Sequence, residues 1–249
     1  MSSFEGRVVL VSGAGSGIGE AAALAFQQRG AVVYGLARSE ETRRAAEARH
    51  QGIRWLAADL AQRGQAEDAG RRVLADAGRL DALVNNAGVY RFAPLEASTE
   101  ELVRSQFEVN VFGLIALTQA VLPALETSRG VIVNVSSTSA SKAMSSQSVY
   151  GATKAAVEAL TRSWALELAR RGVRVNAIAP GPTETAGVAA IALPPEVLEG
   201  MRAKVKEAVP LGRMAQSEEI AHWIVALADP QVSWVTGQVF GVDGGLAIS

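Results

Sequence analysis

The sequence predicts an α/β fold: a doubly wound parallel sheet of about seven strands with helices on both faces, in a single domain spanning residues 1–249. Three observations predict it. Short apolar, β-branched runs alternate with helical patterns along the whole chain, the order that makes a parallel sheet covered on both sides. The runs are apolar at nearly every position, as strands buried on both faces are. Finally, the 249 residues, 49% of them hydrophobic and 20% charged, contain no repeat, low-complexity tract or linker that would divide the chain.

The first strand is read in RVVLVSG (7–13), followed by a helical pattern near 17–29. AVVYGLA (31–37) and IRWLAAD (53–59) are the second and third strands, each leading into a helix, near 39–50 and 64–77. DALVNNAG (81–88) and VIVNVSS (131–137) are the fourth and fifth, with helices near 99–126 and 150–171. VRVNAIAPG (173–181) is the sixth, a helix near 216–228 follows, and GQVFGVDGG (237–245) is the last. Gly, Asn, Asp or Pro bounds each run, and the crossovers are expected to be right-handed. Residues 182–213 break the rhythm with Pro194–Pro195 and short amphipathic pieces. So long an insertion reads as a substrate lid, or else as a structural excursion capping the sheet.

Composition removes several functions. The net charge is −1, and the arginine pairs at 43–44, 71–72 and 170–171 lie in helical stretches that also carry acids, so neither nucleic acid nor a membrane surface is an expected partner. MSSFEGRVVLVSG has no basic region ahead of an apolar core, and no apolar run reaches the roughly 18 residues of a spanning helix. The absence of cysteine excludes disulfides, zinc–thiolate sites, iron–sulfur clusters and a cysteine nucleophile. His50 and His222 lie in no metal-ligand spacing, and no G-x-S-x-G elbow is present, which argues against a Ser-His-Asp hydrolase. A soluble, cytoplasmic protein is expected.

The residues that carry chemistry gather at strand ends. SGAGSGIG (12–19) follows the first strand directly, with Gly13, Gly17 and Gly19 in a G-x-x-x-G-x-G pattern. The commoner G-x-G-x-x-G does not fit in frame from Gly13 or Gly15. The physics is shared: glycines let backbone N–H groups approach a pyrophosphate, and the following helix points its positive end at the anion. Asp59 ends the third strand, Asn85 to Gly88 the fourth, Ser136 and Ser137 the fifth, Pro180 and Gly181 the sixth. Ligands bind at such edges of doubly wound sheets. Tyr150 and Lys154 stand one helical turn apart on the same face of an alanine-rich helix.

Taken jointly, SGAGSGIG (12–19), Asp59, NNAG (85–88), Asn110, the serines at 136–137, YGATK (150–154), PGPTET (180–185) and VDGG (242–245) resemble the short-chain dehydrogenase/reductase family in its single-domain form, over essentially the whole chain. The resemblance implies a Rossmann-like sheet and reversible hydride transfer between a nicotinamide and a carbonyl or secondary alcohol. It implies catalytic roles for Asn110, Ser137, Tyr150 and Lys154, Ser137 lying thirteen residues before Tyr150. A tyrosine with a pKa of about 10 is scarcely ionised at neutral pH, and the Lys154 ammonium and a cationic nicotinamide ring would favour its phenolate. Tyr150 then moves the proton, Ser137 hydrogen-bonds the reacting oxygen, Lys154 holds the ribose hydroxyls, and Asn110 holds a water linking Lys154 to solvent. Read without the family, Asn110 bonds backbone at a helix bend near Gly113. The implied cofactor set is Ser12, Gly13, Gly15, Ser16, Gly17, Ile18, Gly19, Arg38, Asp59, Leu60, Asn86, Ala87, Gly88, Asn110, Tyr150, Lys154, Pro180, Gly181, Thr183 and Thr185. Ser12 stands where threonine is commoner, and Thr183 where the family often has valine or isoleucine.

NADP(H) is the expected cofactor, with NAD(H) the alternative. An NAD-preferring sheet ends its second strand in an acid; here the strand ends at Ala37 and Arg38 follows, a guanidinium placed to grip a 2′-phosphate. Ser16 supplies no second basic residue, and Glu40 and Glu41 lie close to Arg38 in sequence. Ser139, Met144, Val149, Tyr90, Phe92 and the lid are the expected substrate wall, fitting a neutral, moderately hydrophobic ketone or alcohol unless Lys142 or Arg91 points inward. The helices at 99–126 and 150–171 are apolar over more than one face, which points to a partner chain; the resemblance implies a homotetramer. The other readings are a nicotinamide-binding sensor or scaffold without turnover, and a lyase or epimerase on the same fold.

Overall fold

A computed structural model describes residues 4–185 and 195–249. Its elements run β1 (Val8–Ser12), α1 (Gly17–Gln27), β2 (Val32–Ala37), α2 (Glu40–Arg49), β3 (Arg54–Ala57), α3 (Arg63–Ala77), β4 (Ala82–Asn85), α4 (Glu100–Phe107), α5 (Leu114–Ser128), β5 (Val131–Val135), α6 (Ser148–Leu168), β6 (Arg174–Pro180), β7 (Thr183–Glu184), α7 (Pro195–Ala208), β8 (Ala215–Gln216), α8 (Ser217–Ala228) and β9 (Val239–Val242). Seven strands form one sheet in the order β3-β2-β1-β4-β5-β6-β9, every neighbouring pair parallel. The chain winds outward from β1 to β3 and then returns to place β4 on the other side of β1. That reversal opens a crevice at the carboxyl ends of β1 and β4, where ligands bind in open α/β sheets.

Both faces are packed. Val9 and Val11 of β1 join a buried cluster with Ala22 and Phe26 of α1 and Ile220 and Ile224 of α8. Val8 and Leu10, pointing the other way as alternate strand residues must, pack with Val73 of α3, Leu117 and Leu125 of α5 and Leu168 of α6. Helix ends follow local chemistry. Ser39 caps α2 through a reciprocal pair with Thr42, and α3 stops at Gly78, in the left-handed conformation glycine adopts at little cost.

The structure departs from the sequence reading in four places. The fourth strand, predicted to reach Gly88, stops at Asn85, because the next residues turn back to bond Ser12. The third ends at Ala57, so Asp59 sits in the following turn. The helix predicted over 99–126 is interrupted by a π-helical turn, Glu108–Gly113, which separates α4 from α5. There Gly113 comes so close to the Leu60 backbone that a Cβ would stand 2.2 Å from the Leu60 carbonyl oxygen. The whole stretch Glu100–Ser128 is also long and apolar enough, by length and composition alone, to cross a membrane, although no unbroken apolar run is. Half of its apolar window is buried inside the fold, the composition an internal core helix also has. Of the predicted lid at 182–213, residues 186–194 lie outside the described residues; the remainder holds β7 and α7, and β7 pairs with β8 beyond it.

Candidate active site

The glycine loop is fastened from below. Ser12 Oγ accepts the backbone N–H groups of Asn86 (3.1 Å) and Ala87 (3.0 Å) and donates to the Val84 carbonyl (3.3 Å). Asn86 Nδ2 donates to the carbonyls of Ser12 and Gly13. Asn86 thus buttresses the loop with its amide, a different use from the ligand contact expected of it. Gly13 has a φ of +64°, and a Cβ there would lie 2.8 Å from Ala87 Cα, so both its turn and its close approach demand glycine. On Gly19 a Cβ would collide with Asn86 Nδ2 and the Gly13 carbonyl. Around Gly15 the only group within 4 Å of such a Cβ is Ala37 Cβ, at 3.5 Å.

Helix α1 begins at Gly17, and Ser16, which precedes it, caps none of its N–H groups with its side chain. Those donors remain for an anion at the positive helix end. Thr185 packs over the loop, 3.2 Å from where a Gly17 Cβ would stand. Ile18 turns into the core instead. Arg49, not anticipated from sequence, reaches from the end of α2 to donate to the Gly15 carbonyl at 2.8 Å.

Around this loop the other strand ends converge. Arg38 is exposed beyond β2. Glu40 is engaged by Arg43 and Arg44, which lowers its pKa to about 2, chiefly through the Arg43 hydrogen bond. Asp59 accepts from the Ala61 N–H at 3.0 Å, whereas Leu60 is a core residue. Pro180 presents its carbonyl to Thr138 Oγ1, and Thr183 Oγ1 bonds the Gly181 carbonyl. Asn85, at the end of β4, bonds Thr118 and, on the neighbouring strand, Asn134 inside the core.

The side chains expected to be catalytic stand after β5 and on α6. Ser137 follows β5 in an extended conformation, and its hydroxyl donates to Ser139 Oγ at 3.2 Å and accepts from the Ser139 N–H at 3.2 Å. Lys154 is buried one turn beyond Tyr150, its Nζ 5.9 Å from the Tyr150 ring centroid and donating to the Val135 carbonyl at 2.8 Å. Gly88 lies against this ammonium: a Cβ there would be 3.4 Å from Nζ. Burial pushes the Tyr150 pKa up to about 12, opposed by the Ser137 hydrogen bond. Burial also pushes Lys154 down to about 8. The phenolate is expected from Lys154 acting together with a cationic nicotinamide ring; burial of Tyr150 acts in the opposite direction.

Asn110, in the π-helical turn, accepts from the Val89 N–H (2.8 Å) and donates to the Val89 carbonyl (2.9 Å) and Thr153 Oγ1 (3.0 Å). The side chain thus bonds backbone, as the reading without the family expects, and clamps the segment after β4 to α6.

Tyr90 and Phe92 stand edge-on to Tyr150, with ring centroids 6.4 and 5.8 Å from its own, and form an exposed aromatic wall. Ser139 donates to Gln147 Oε1 at 2.7 Å. Met144 accepts from the Gln147 N–H, and it and Val149 are half-buried nearby. Lys142 turns away to the carbonyls of Leu246 and Ser249. The Arg91 backbone is pinned by Gln106 and its side chain is exposed. Gln147 and Thr153, which sequence reasoning did not single out, also border the candidate site; both lie three residues from Tyr150, whereas Lys154 lies four away.

This fold, with a glycine cradle beside a serine, a tyrosine and a lysine, is that of a class of oxidoreductases, and comparison with known proteins agrees. A family model described as enoyl-(acyl carrier protein) reductase matches residues 13–247. The chain is 39% identical to 3-oxoacyl-(acyl-carrier-protein) reductase FabG of Thermotoga maritima, covering 98% of this chain and 99% of that protein. It is 38% identical to mouse L-fucose dehydrogenase, covering 97% and 89%. Among solved structures, ligand-free aldohexose dehydrogenase of Thermoplasma acidophilum superposes with a TM-score of 0.90 at 29% identity, covering 100% of this chain and 96% of that one. The chain belongs to the short-chain dehydrogenase/reductase family, and it is an oxidoreductase acting on small molecules.

Proposed function

We propose that this enzyme transfers hydride between a nicotinamide cofactor and a carbonyl or secondary alcohol, with Tyr150 as general acid and base. The observation that carries the reading is the convergence on Tyr150 of Ser137, which pulls the phenol's pKa down against burial, and of Lys154, whose ammonium lies 5.9 Å from the tyrosine ring. A dinucleotide fits the residues beside them. Gly13, Gly15, Ser16 and Gly17 form a cradle that side chains would fill, at a helix start whose N–H groups are uncapped by Ser16. Lys154 would hold ribose hydroxyls, and Pro180 to Thr185 the nicotinamide carboxamide.

When bound, the nicotinamide supplies or accepts the hydride. In reduction the carbonyl carbon gains the hydride and its electron pair, and the oxygen gains the Tyr150 proton. Ser137 orients that oxygen by hydrogen bonding. Lys154 holds positive charge beside the phenolate so formed. Oxidation reverses each transfer.

NADP(H) is the preferred cofactor in this reading. Ala37 lies against Gly15, Arg38 is exposed beyond it, and Glu40, the nearest acid in sequence, is paired with Arg43 and Arg44. The active species is a homotetramer.

The test replaces Tyr150 by phenylalanine, which keeps the ring and removes the proton carrier. Absorbance at the reduced-nicotinamide band should show turnover falling by about 100-fold or more, with the cofactor dissociation constant nearly unchanged by fluorescence titration. A variant keeping more than a tenth of the wild-type rate removes Tyr150 from this role.

A further inference from the structure

We propose that Arg49 is a positioning residue for the cofactor: held by Glu20, it fixes the direction of the Gly15–Ser16 peptide in the glycine loop, and through that peptide the affinity for a dinucleotide. The inference rests on the reading of the loop as the dinucleotide cradle.

The carbonyls of the loop are fastened from three directions. Asn86 Nδ2 donates to those of Ser12 and Gly13 from the end of β4. The Ser16 carbonyl accepts the Glu20 N–H at 3.3 Å as α1 begins. The Gly15 carbonyl, between these, takes its hydrogen bond from a side chain 34 positions away, Arg49 Nη2 at 2.8 Å. Gly15 has no Cβ, so its own sterics do not choose where its carbonyl points; Arg49 chooses it. A trans peptide is planar, with C=O and N–H antiparallel. Drawing the Gly15 oxygen toward the end of α2 therefore turns the Ser16 N–H to the opposite side of the loop. It also engages an oxygen that would otherwise stand unpaired beside a helix start that attracts anions.

Arg49 is itself held. Its Nε and Nη2 both donate to Glu20 Oε1, at 3.1 and 2.9 Å, and His50 Nε2 meets the same oxygen at 2.5 Å. Glu20 lies in the first turn of α1, so the end of α2 is tied to the helix that starts at the cradle. The Arg49 side chain is 47% exposed, and ion pairs so exposed contribute little to folding; its placement serves the loop rather than the core. Arg38 would separate NADP from NAD, whereas Arg49 holds backbone that both would use.

Isothermal titration calorimetry on the purified protein measures the dissociation constants of NADPH and NADH. Arg49→Met, which keeps side-chain length and removes the donors, should raise both by about 10-fold, the worth of one charge-assisted hydrogen bond. Its Tm should stay within about 4 °C of wild type. Arg49→Lys keeps a charged donor without the fork that spans Gly15 and Glu20, and should fall between the two. In the cofactor-free protein, amide hydrogen exchange across residues 13–19 should quicken in Arg49→Met. Glu20→Gln combined with Arg49→Met removes both charges and should remain as weak as Arg49→Met alone. A double variant that binds as wild type assigns the loss to the bared Glu20 charge and overturns the proposal. Unchanged dissociation constants in Arg49→Met, a rise confined to NADPH, or a larger fall in Tm also overturns it and leaves the cradle standing. A wild-type protein that binds neither dinucleotide overturns the proposal together with the reading of the loop beneath it.

Discussion

Lys154 and Tyr150 are moved from their ordinary pKa values in opposite directions by one cause. Burial disfavours the charged form of each, so the ammonium falls to about 8 and the phenol rises to about 12. In reduction the site needs a protonated Tyr150 and a charged Lys154. The first condition holds through the whole neutral range; the second is lost as pH rises through about 8. The pH profile of kcat/KM for the reduced cofactor, which reports the free enzyme, should fall above about pH 8, and Lys154→Arg should move that limb upward because a guanidinium stays charged. A wild-type profile flat to pH 10 contradicts the assignment. Arg38 carries a second prediction at this scale. Charge-assisted hydrogen bonds contribute about 1.5–3 kcal/mol, so Arg38→Ala should raise the Michaelis constant for NADP by roughly 10-fold or more and spare NAD, while Ala37→Asp should shift preference toward NAD. A wild-type preference for NAD of tenfold or more in kcat/KM contradicts it. Residue by residue, the candidate site was legible through the joint match of several motifs at consistent spacing, since a tyrosine and a lysine one turn apart, as Tyr150 and Lys154 are, say little alone. It was less legible where a side chain can serve either ligand or fold. Asn85, Asn86 and Asn110 each put their amides into the protein, and sequence does not reveal which way an amide faces.

Elements were more legible than contacts. Each of the seven strands of the main sheet lies within its predicted run, because strands buried on both faces write themselves as unbroken apolar runs. The β7–β8 pair, two residues in each strand, is too short to leave any periodicity. The π-helical turn was likewise invisible: one extra residue in a turn does not change composition. Its position becomes intelligible only in three dimensions, where the Gly113 backbone lies against Leu60 at the end of the β3 turn and the same turn aims Asn110 at Val89. Overpacking such a contact costs about 1–3 kcal/mol. Gly113→Ala should therefore lower Tm by roughly 2–10 °C in a chain of this size, read by calorimetry on the purified protein. Gly64, which has nothing within 4 Å of its would-be Cβ, serves as the control, and Gly64→Ala should leave Tm unchanged or slightly raised. Equal Tm values for the two variants would remove the close approach as the reason for glycine at 113.

At the scale of the whole molecule, the excess of apolar surface read in the sequence survives folding. Phe112, in the π-helical turn, is 54% exposed, and Leu166 of α6 is 83% exposed. Trp223 of α8 is 45% exposed, and Trp234, in the segment before β9, is 99% exposed. Single exposed apolar residues are ordinary, but these large side chains fall on two stretches of chain: the π-helical turn with α6, and α8 with the segment that follows it. Closed symmetry converts two self-complementary patches into a tetramer, each patch pairing with its own copy across a twofold axis. Multi-angle light scattering should give about 104 kDa, four times the 26.0 kDa of the chain. Leu166→Glu together with Phe112→Glu should break one patch and yield a dimer, and Trp223→Glu together with Trp234→Glu should break the other and also yield a dimer. All four together should yield a monomer. Each variant's far-ultraviolet circular dichroism should match wild type, because none of these side chains is buried in the chain's own core. A wild-type mass near 26 kDa at micromolar concentration excludes the assembly, and a mass near 104 kDa that survives the fourfold variant places the interfaces elsewhere.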